Sequence, residues 1–257
     1  MTVFWNLYGR NMRQMPRIPV VLVFGIAMPV IQLLLFGSVF SSTIDNPQHP
    51  YHGESYYAFI APAIILLTAV LGMANSSAAF IVDLRTGYFD KLRTTPASPG
   101  SIIFARLSAE MTRVSLQSTL ILLLAVAIGA RLETGIAGAV VMIVVATVFG
   151  MMSTGLAVMI LAMKTRSDQA TQSAFPLFFV LLFLSEAFMP KALLPDWLVT
   201  VADYNPINYI IVGLRALMFD GWSDALPDLA IGLGIGLVLA AFLAFVNMRV
   251  YRRTIVG

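Results

Sequence analysis

Long apolar stretches bounded by charged or turn residues dominate the chain. Residues 18–40 carry no charged side chain over 23 positions, which is about 34 Å of helix at ~1.5 Å per residue. A hydrocarbon core of ~30 Å is crossed by about 20 helical residues. This stretch therefore predicts a first transmembrane helix. Five similar stretches predict five more crossings, at residues 56–82, 114–130, 136–163, 170–188 and 226–248.

Two further apolar segments do not fit a crossing. Residues 187–201 are broken by Pro190 and Pro195, while residues 207–219 form a run of only 13 that includes Arg215. Residues 207–219 are too short to span, and together with the proline-broken segment they predict re-entrant helices that dip into or lie on one membrane face between spans five and six. The predicted fold is an all-α integral membrane protein with six transmembrane helices.

Composition supports a membrane location. The 257 residues are 59% apolar and 11% charged, and the mean hydropathy is +0.86. A soluble domain carries roughly 25% charged residues, so this chain lacks the polar surface that would cover a water-soluble globule. The absence of cysteine excludes disulfides, thiolate metal sites and cysteine nucleophiles.

The basic residues indicate the orientation of the chain. Six spans place both termini on one side, and that side holds all of the 16 lysines and arginines except Arg131, Lys191 and Arg215. Short cytoplasmic loops collect basic residues. The pattern predicts a multi-pass protein of the cell membrane with both termini in the cytoplasm.

The segment before the first span, residues 1–17, mixes aromatic and basic side chains. Phe4, Trp5 and Tyr8 alternate with arginines, which is typical of an amphipathic helix in the inner membrane interface. A simple anchoring role is the alternative.

The connection between spans two and three carries a short amphipathic pattern. Apolar Tyr88, Phe89 and Leu92 alternate with Asp90 and Arg93, and prolines follow. A short helix of this kind at the cytoplasmic face can enter a groove of a soluble partner. The other interpretation is a solvated connector.

Within the predicted spans, the polar residues are mainly uncharged and no pairs of charges stand out. This argues against proton or ion coupling. Span six carries Gly232, Gly236, Ala240 and Ala244 at four-residue spacing. Such a ridge of small residues lets a second helix approach closely. That helix can belong to this chain or to a partner.

The chain lacks the residues needed for phosphate binding, and its histidines do not favour a metal site. Of the lysines, only Lys164 precedes a serine or threonine, and no glycine run leads to it, so the chain has no phosphate-binding loop. His49 and His52 lie three apart in a predicted external loop, where solvated side chains are the expectation over a metal site. We expect no catalytic residues, no metal and no cofactor bound by this chain. Any driving energy must come from another protein.

Two segments resemble the membrane-spanning subunit of ABC-2 type exporters, which include bacterial drug-resistance permeases and polysaccharide or lipid exporters. Residues 85–99 are similar to the coupling helix of that family. Residues 183–217 are similar to its signature at the end of span five and in the external re-entrant helices. Glu186 departs from that signature, where a small or neutral residue is expected. The matching positions of the coupling helix are Gly87, Leu92, Thr95 and Pro96.

The resemblance implies that residues 18–257 form an ABC-2 transmembrane domain of a bacterial protein. It further implies a second permease, identical or paralogous, and two separate ATPase subunits that bind ATP and magnesium. The implied ATPase contacts are Gly87, Tyr88, Phe89, Asp90, Lys91 and Leu92. The implied external gate comprises Glu186, Pro190, Pro195, Trp197, Asn205, Pro206 and Arg215.

Arg215 lies near the predicted outer interface. Its side chain can reach lipid headgroups or pair with the carboxylate of Glu186 or Asp203. A lid that holds the fold together and a direct role in substrate binding are both open.

The leading functional hypothesis is ATP-driven export of a hydrophobic or amphipathic molecule, either a drug or a lipid-like metabolite. The 14 methionines and 17 phenylalanines provide adaptable apolar surface for such a substrate. Export of lipid-linked polysaccharide is the alternative within the family. A stand-alone secondary transporter and a membrane scaffold are alternatives from other classes. The expected partners are proteins, membrane lipid and a small molecule, without nucleic acid.

Overall fold

The computed structural model describes residues 2–14, 19–44, 50–51, 54–86, 99–155 and 175–251. Regular structure within these ranges is entirely helical. The helices are α1 (Thr2–Gln14), α2 (Pro19–Val39), α3 (Ser41–Ile44), α4 (Tyr56–Arg85), α5 (Pro99–Ala127), α6 (Gly135–Gly150), α7 (Phe175–Phe183), α8 (Asp196–Asp203), α9 (Pro206–Phe219) and α10 (Trp222–Tyr251). One π-helical turn, Met151–Gly155, continues α6, and a 3₁₀ turn, Lys191–Leu193, precedes α8.

Within the described ranges, four helical stretches are long and apolar enough to cross a membrane. They are Tyr56–Met73, Phe104–Ala127, Gly135–Ser153 and Trp222–Val246. The apolar part of α2, Val23–Val39, and the whole of α9 are shorter. An all-α, membrane-type protein is therefore confirmed, whereas six crossings and the domain boundary at residue 18 stay predictions. The expected ATPase contacts 87–92, both histidines and residues 156–174 lie outside the described ranges.

Helix α4 forms the centre of the bundle. Its first five turns are apolar on every side, and Phe59, Ile60, Ile64 and Ile65 have no exposed surface. A helix that is hydrophobic all round is stable only when other elements surround it. Helices α2, α5, α6 and α9 supply that surround, and most of the core clusters on α4.

Helix α5 starts earlier than the hydropathy pattern predicts. It runs continuously from Pro99, so Arg106, Glu110 and Arg113 belong to the helix and not to a loop before position 114. Helix α1 packs against it, with the Tyr8 hydroxyl 2.9 Å from the Thr112 hydroxyl. The predicted N-terminal helix is thus present and contacts the bundle directly, while its depth in the membrane stays a prediction.

The turn between α5 and α6 satisfies carbonyl groups at the end of α9. The Glu133 amide donates to the Met218 carbonyl at 2.9 Å. The Thr134 hydroxyl donates to the Leu217 carbonyl at 2.6 Å. Because the last carbonyls of a helix have no partner within it, this turn holds α9 in place.

Helices α9 and α10 form a tight hairpin that turns at Gly221, whose φ of +94° suits glycine. A Cβ on Gly213 would lie 2.7 Å from side-chain atoms of Leu229 and 3.0 Å from its backbone nitrogen. A Cβ on Gly232 would lie 2.6 Å from Ile210. Each helix therefore has a glycine where the other helix approaches closely. The buried hairpin agrees with the expectation that residues 207–219 do not cross alone.

The small-residue ridge predicted in span six lies partly inside this chain. Gly232 and Gly236 are buried, and a Cβ on Gly236 would sit 3.4 Å from the ring of Phe149. Ala240 and Ala244 are half-buried. The first half of the ridge thus packs against α9 and α6 of the same chain.

We predict that Gly213→Ala lowers the thermal midpoint of the purified protein in detergent. Overpacking a close contact costs about 1–3 kcal/mol, which exceeds the helix propensity gained over glycine, at most about 1 kcal/mol. Gly234→Ala is the matched control, since nothing lies within 4 Å of a Cβ there. Equal midpoints for the two variants would contradict the tight hairpin.

Candidate functional site

A polar bend joins α7 to α9, and Asn205 ties its two ends together. The Asn205 amide nitrogen donates to the carbonyls of Leu181 and Leu184 at 2.6 and 2.8 Å. Its Oδ1 accepts the Ile207 amide at 3.0 Å, and Pro206 fills the first turn of α9. Asn205 is therefore the N-cap of α9 and also caps the end of α7.

Glu186 lies in this bend and is hydrogen-bonded to Asn208 on α9. The Glu186 amide donates to Asn208 Oδ1 at 2.8 Å, and Asn208 Nδ2 donates to Glu186 Oε1 at 3.1 Å. The second carboxylate oxygen accepts the Lys191 amide at 3.2 Å. The residue that departs from the family signature is thus bonded at both carboxylate oxygens.

Arg215 reaches the same bend from the next turns of α9, and only 3% of its surface is exposed. Its Nη2 donates to the carbonyls of Glu186 and Ala187 at 2.8 and 3.3 Å. Its Nε donates to the Phe59 carbonyl on α4 at 3.3 Å. The guanidinium carbon lies 3.7 Å from the centre of the Phe59 ring, an attractive cation–π geometry.

The hydrogen bonds of Arg215 differ from those expected with headgroups or with the carboxylates of Glu186 and Asp203. The side chain is too deeply buried to reach headgroups, and its partner at Glu186 is the backbone carbonyl and not the carboxylate. Asp203 pairs instead with Lys191. The reason is local: the bend leaves backbone carbonyls inside the bundle, and the arginine supplies their donors.

The rim of the site carries exposed or partly exposed polar contacts. Lys191 and Asp203 form an ion pair, and the hydrogen bond to Asp203 raises the pKa of Lys191. The Tyr51 hydroxyl donates to Asp220 Oδ2 at 2.8 Å, and its ring stacks on Phe219 at 4.3 Å. Burial, followed by the hydrogen bond to Asp220, raises the pKa of Tyr51 above its usual value, so the hydroxyl stays a donor at neutral pH.

The structure brings together four of the seven predicted gate residues: Glu186, Asn205, Pro206 and Arg215. Pro190 is buried at the start of the 3₁₀ turn. Pro195 is exposed at the start of α8, and Trp197 is 63% exposed on the same helix.

Sequence reasoning missed three residues of this site. Asn208 follows Asn205 by three positions, which places both amides on one side of α9, and this spacing was a usable signal. Phe59 gave none, because it is one apolar residue within an apolar span. Tyr56 donates its hydroxyl to the Phe188 carbonyl at 2.8 Å, another contact to backbone that a sequence does not show.

The hydrogen bonds described above join side chains to backbone groups of the bend, α4 and α7, or to one another. They hold α4, α7 and α9 together. Among the described residues, no group of three or more His, Cys, Asp or Glu side chains could hold a metal ion. The fold and the site together define a helical, membrane-type protein with a hydrogen-bonded polar bend.

Comparison with known proteins identifies the family. A profile of the ABC-2 type transporter family matches residues 2–219, and the chain belongs to that family. This confirms the resemblance drawn from residues 85–99 and 183–217. The family is that of ABC transporter permease subunits, which are generally non-catalytic.

Individual relatives extend over most of the chain. The daunorubicin resistance ABC transporter permease protein DrrB1 of Streptomyces coeruleorubidus is 24% identical over 95% of this chain and 83% of its own length. A putative transport permease ycf38 of Cyanophora paradoxa is 26% identical over 96% of this chain and 87% of its own. The ycf38 protein of Pyropia yezoensis is 30% identical over 82% and 72%. Because these sources differ so widely, the bacterial origin stays a prediction.

We predict that Arg215→Ala lowers the thermal midpoint and the transport rate together. The change removes the donor of two carbonyls in the bend, and each buried polar group left unpaired costs about 1–3 kcal/mol. Lys191→Ala is the control, because an exposed ion pair contributes only ~0–1 kcal/mol. Differential scanning fluorimetry checks the midpoints. A full loss of transport by Arg215→Ala at unchanged stability would indicate substrate contact instead.

Proposed function

We propose that this chain is the transmembrane permease subunit of an ATP-driven exporter that moves a hydrophobic or amphipathic molecule out of the cytoplasm or the inner leaflet. The family match over residues 2–219 carries the permease role. The drug-like substrate class draws on the similarity to DrrB1, whose name states daunorubicin resistance. The apolar composition of the helices is compatible with such a substrate.

ATP hydrolysis falls to two partner subunits in this proposal, because the sequence has no phosphate-binding loop of its own. The partners bind ATP and magnesium and dock on Gly87 to Leu92. These residues lie between the end of α4 at Arg85 and the start of α5 at Pro99. Movement imposed there is therefore delivered to both helices at once.

A second permease, identical or paralogous, completes the pathway. The polar bend with α8 and α9 forms the outer gate at the end of the bundle opposite the 87–98 connection. Helix α10 presents exposed apolar residues such as Val238 and Phe242, as expected of a surface in contact with membrane lipid. Both termini are cytoplasmic in this arrangement.

The orientation can be tested by cysteine labelling, since the natural chain has no cysteine. Thr200→Cys on exposed α8 should react with a membrane-impermeant maleimide in intact cells. Thr86→Cys, at the exposed end of α4, should react only after the cells are permeabilised. Labelling in the reverse order would overturn the cytoplasmic placement of the termini.

The partner ATPase can be tested by purifying the tagged chain from its native membrane in mild detergent. We expect mass spectrometry to find an ATPase in stoichiometric amount, and the complex to hydrolyse ATP. A chain that purifies alone would favour a stand-alone transporter.

The contact with the ATPase can be tested in cells that express the complete complex. Phe89→Asp should leave ATP hydrolysis in place and abolish the reduction in daunorubicin accumulation, because a charge replaces the apolar contact. Phe89→Leu keeps an apolar side chain and should behave as the parent protein. Unchanged export by Phe89→Asp would contradict the assignment of residues 87–92.

A further inference from the structure

A buried ion pair joins Glu110 and Arg113, one turn apart on α5. Each residue is only 9% exposed, and both lie in the apolar stretch Phe104–Ala127. Both residues precede the third span as the hydropathy pattern places it, at 114–130. They nevertheless belong to the same continuous helix, because α5 runs from Pro99. Burying two charges costs several kcal/mol before their attraction is counted, so this pair needs an explanation.

The pair also binds the neighbouring helix. Arg113 Nη2 donates to the Gly72 carbonyl on α4 at 3.4 Å, while Glu110 holds the same guanidinium nitrogen. The two helices approach closely at this level, since a Cβ on Gly72 would lie 2.5 Å from Cγ2 of Val114. Glycine is thus what brings the α4 carbonyl within reach of the arginine.

The contact lies at nearly the same distance from the ends of the two helices that flank the 87–98 connection. Gly72 lies 13 residues before Arg85, and Arg113 lies 14 residues after Pro99. At 1.5 Å per residue, each segment is about 20 Å long. Two helical arms of nearly equal length therefore extend from the 87–98 connection to the level of this contact.

Helix α4 continues from this cross-link to the polar bend. Phe59, whose carbonyl and ring hold Arg215, precedes Gly72 by 13 residues on the same helix. The intervening stretch is buried core, and interiors packed this densely transmit displacement with little compression.

We infer that Glu110 and Arg113 are positioning residues that fasten α5 to α4, so that the two arms move as one lever when the 87–98 connection is displaced. Glu110 compensates the buried charge and orients the guanidinium, and Arg113 makes the bond between the helices. Displacement of the lever then reaches the polar bend through α4. The inference rests on the proposed ATPase contact at residues 87–92.

The test uses the intact complex with its co-purified ATPase and two pairs of spin labels on the cysteine-free chain. Thr86→Cys with Phe104→Cys reports the separation of the two arms. Thr200→Cys with Ile136→Cys reports movement at the opposite end of the bundle. Distances are measured by double electron–electron resonance, without nucleotide and after trapping with Mg-ATP and vanadate. All four label sites lie outside the catalytic ATPase and outside the buried pair.

The neutral variant Glu110→Gln with Arg113→Met removes both charges of the ion pair and the donor to the Gly72 carbonyl. We expect a broadened arm distance and the loss of most of the nucleotide-driven shift at the opposite end. Arg113→Lys keeps a charged donor and should retain the shift. Arg131→Gln, an exposed arginine in the turn after α5, is the control. Size-exclusion profiles verify that each complex is assembled.

The reversed pair, Glu110→Arg with Arg113→Glu, separates two explanations. It keeps an ion pair within α5, but an acid at position 113 cannot donate to the Gly72 carbonyl. The lever predicts that this variant behaves like the neutral one. Parental distances in the reversed or the neutral variant would overturn the inference.

Phe89→Asp in the same assay distinguishes this failure from failure of the proposed function. Loss of the shift in Phe89→Asp together with parental behaviour of the neutral variant would refute the lever alone. A parental shift in Phe89→Asp, with the shift lost in the neutral variant, would refute the ATPase contact and leave the cross-link established.

Discussion

Backbone carbonyls that lose their helical partner inside an apolar bundle must receive a donor, because no water is present to supply one. This requirement governs the segment between α7 and α9. Asn205 serves the last carbonyls of α7, and Arg215 serves those of Glu186 and Ala187. A buried arginine is thus retained not for an acidic partner but for the oxygens that an interrupted helix exposes.

The central helix is held by arginines at two levels. Arg113 binds the Gly72 carbonyl and Arg215 binds the Phe59 carbonyl, although α4 itself carries no charge from Tyr56 to Met73. The two cations are compensated differently: Arg113 has the carboxylate of Glu110, and Arg215 has an aromatic ring and carbonyl dipoles. Both bonds fall on the backbone of α4, so its side chains are left free to form the apolar core.

Hydropathy predicted what depends on long runs of similar residues. It predicted apolar helices at residues 56–82 and 226–248, where α4 and α10 lie, and it separated from them the shorter apolar segment 207–219, which forms α9. It was incomplete at α5, which it started at position 114, whereas the helix runs from Pro99 and contains Arg106, Glu110 and Arg113. A hydropathy pattern also does not show backbone partners, so it could not predict that Arg215 bonds carbonyl groups and not the expected carboxylates. Asn208 was predictable in principle from its spacing to Asn205.

The hydrogen bonds of the bend also fix the number of residues at its two bases, where the chain leaves α7 and where it enters α9. Asn205 bonds Leu184 while Asn208 bonds Glu186. A residue inserted between Leu184 and Glu186, or between Asn205 and Asn208, would break the bond to Glu186 while the bond to Leu184 is kept. The length of chain between these anchors is free to vary only at its tip, around the exposed residues from Lys191 to Trp197. Diversity of loop length among homologous permeases should therefore concentrate at that tip, and the bases should stay constant in length.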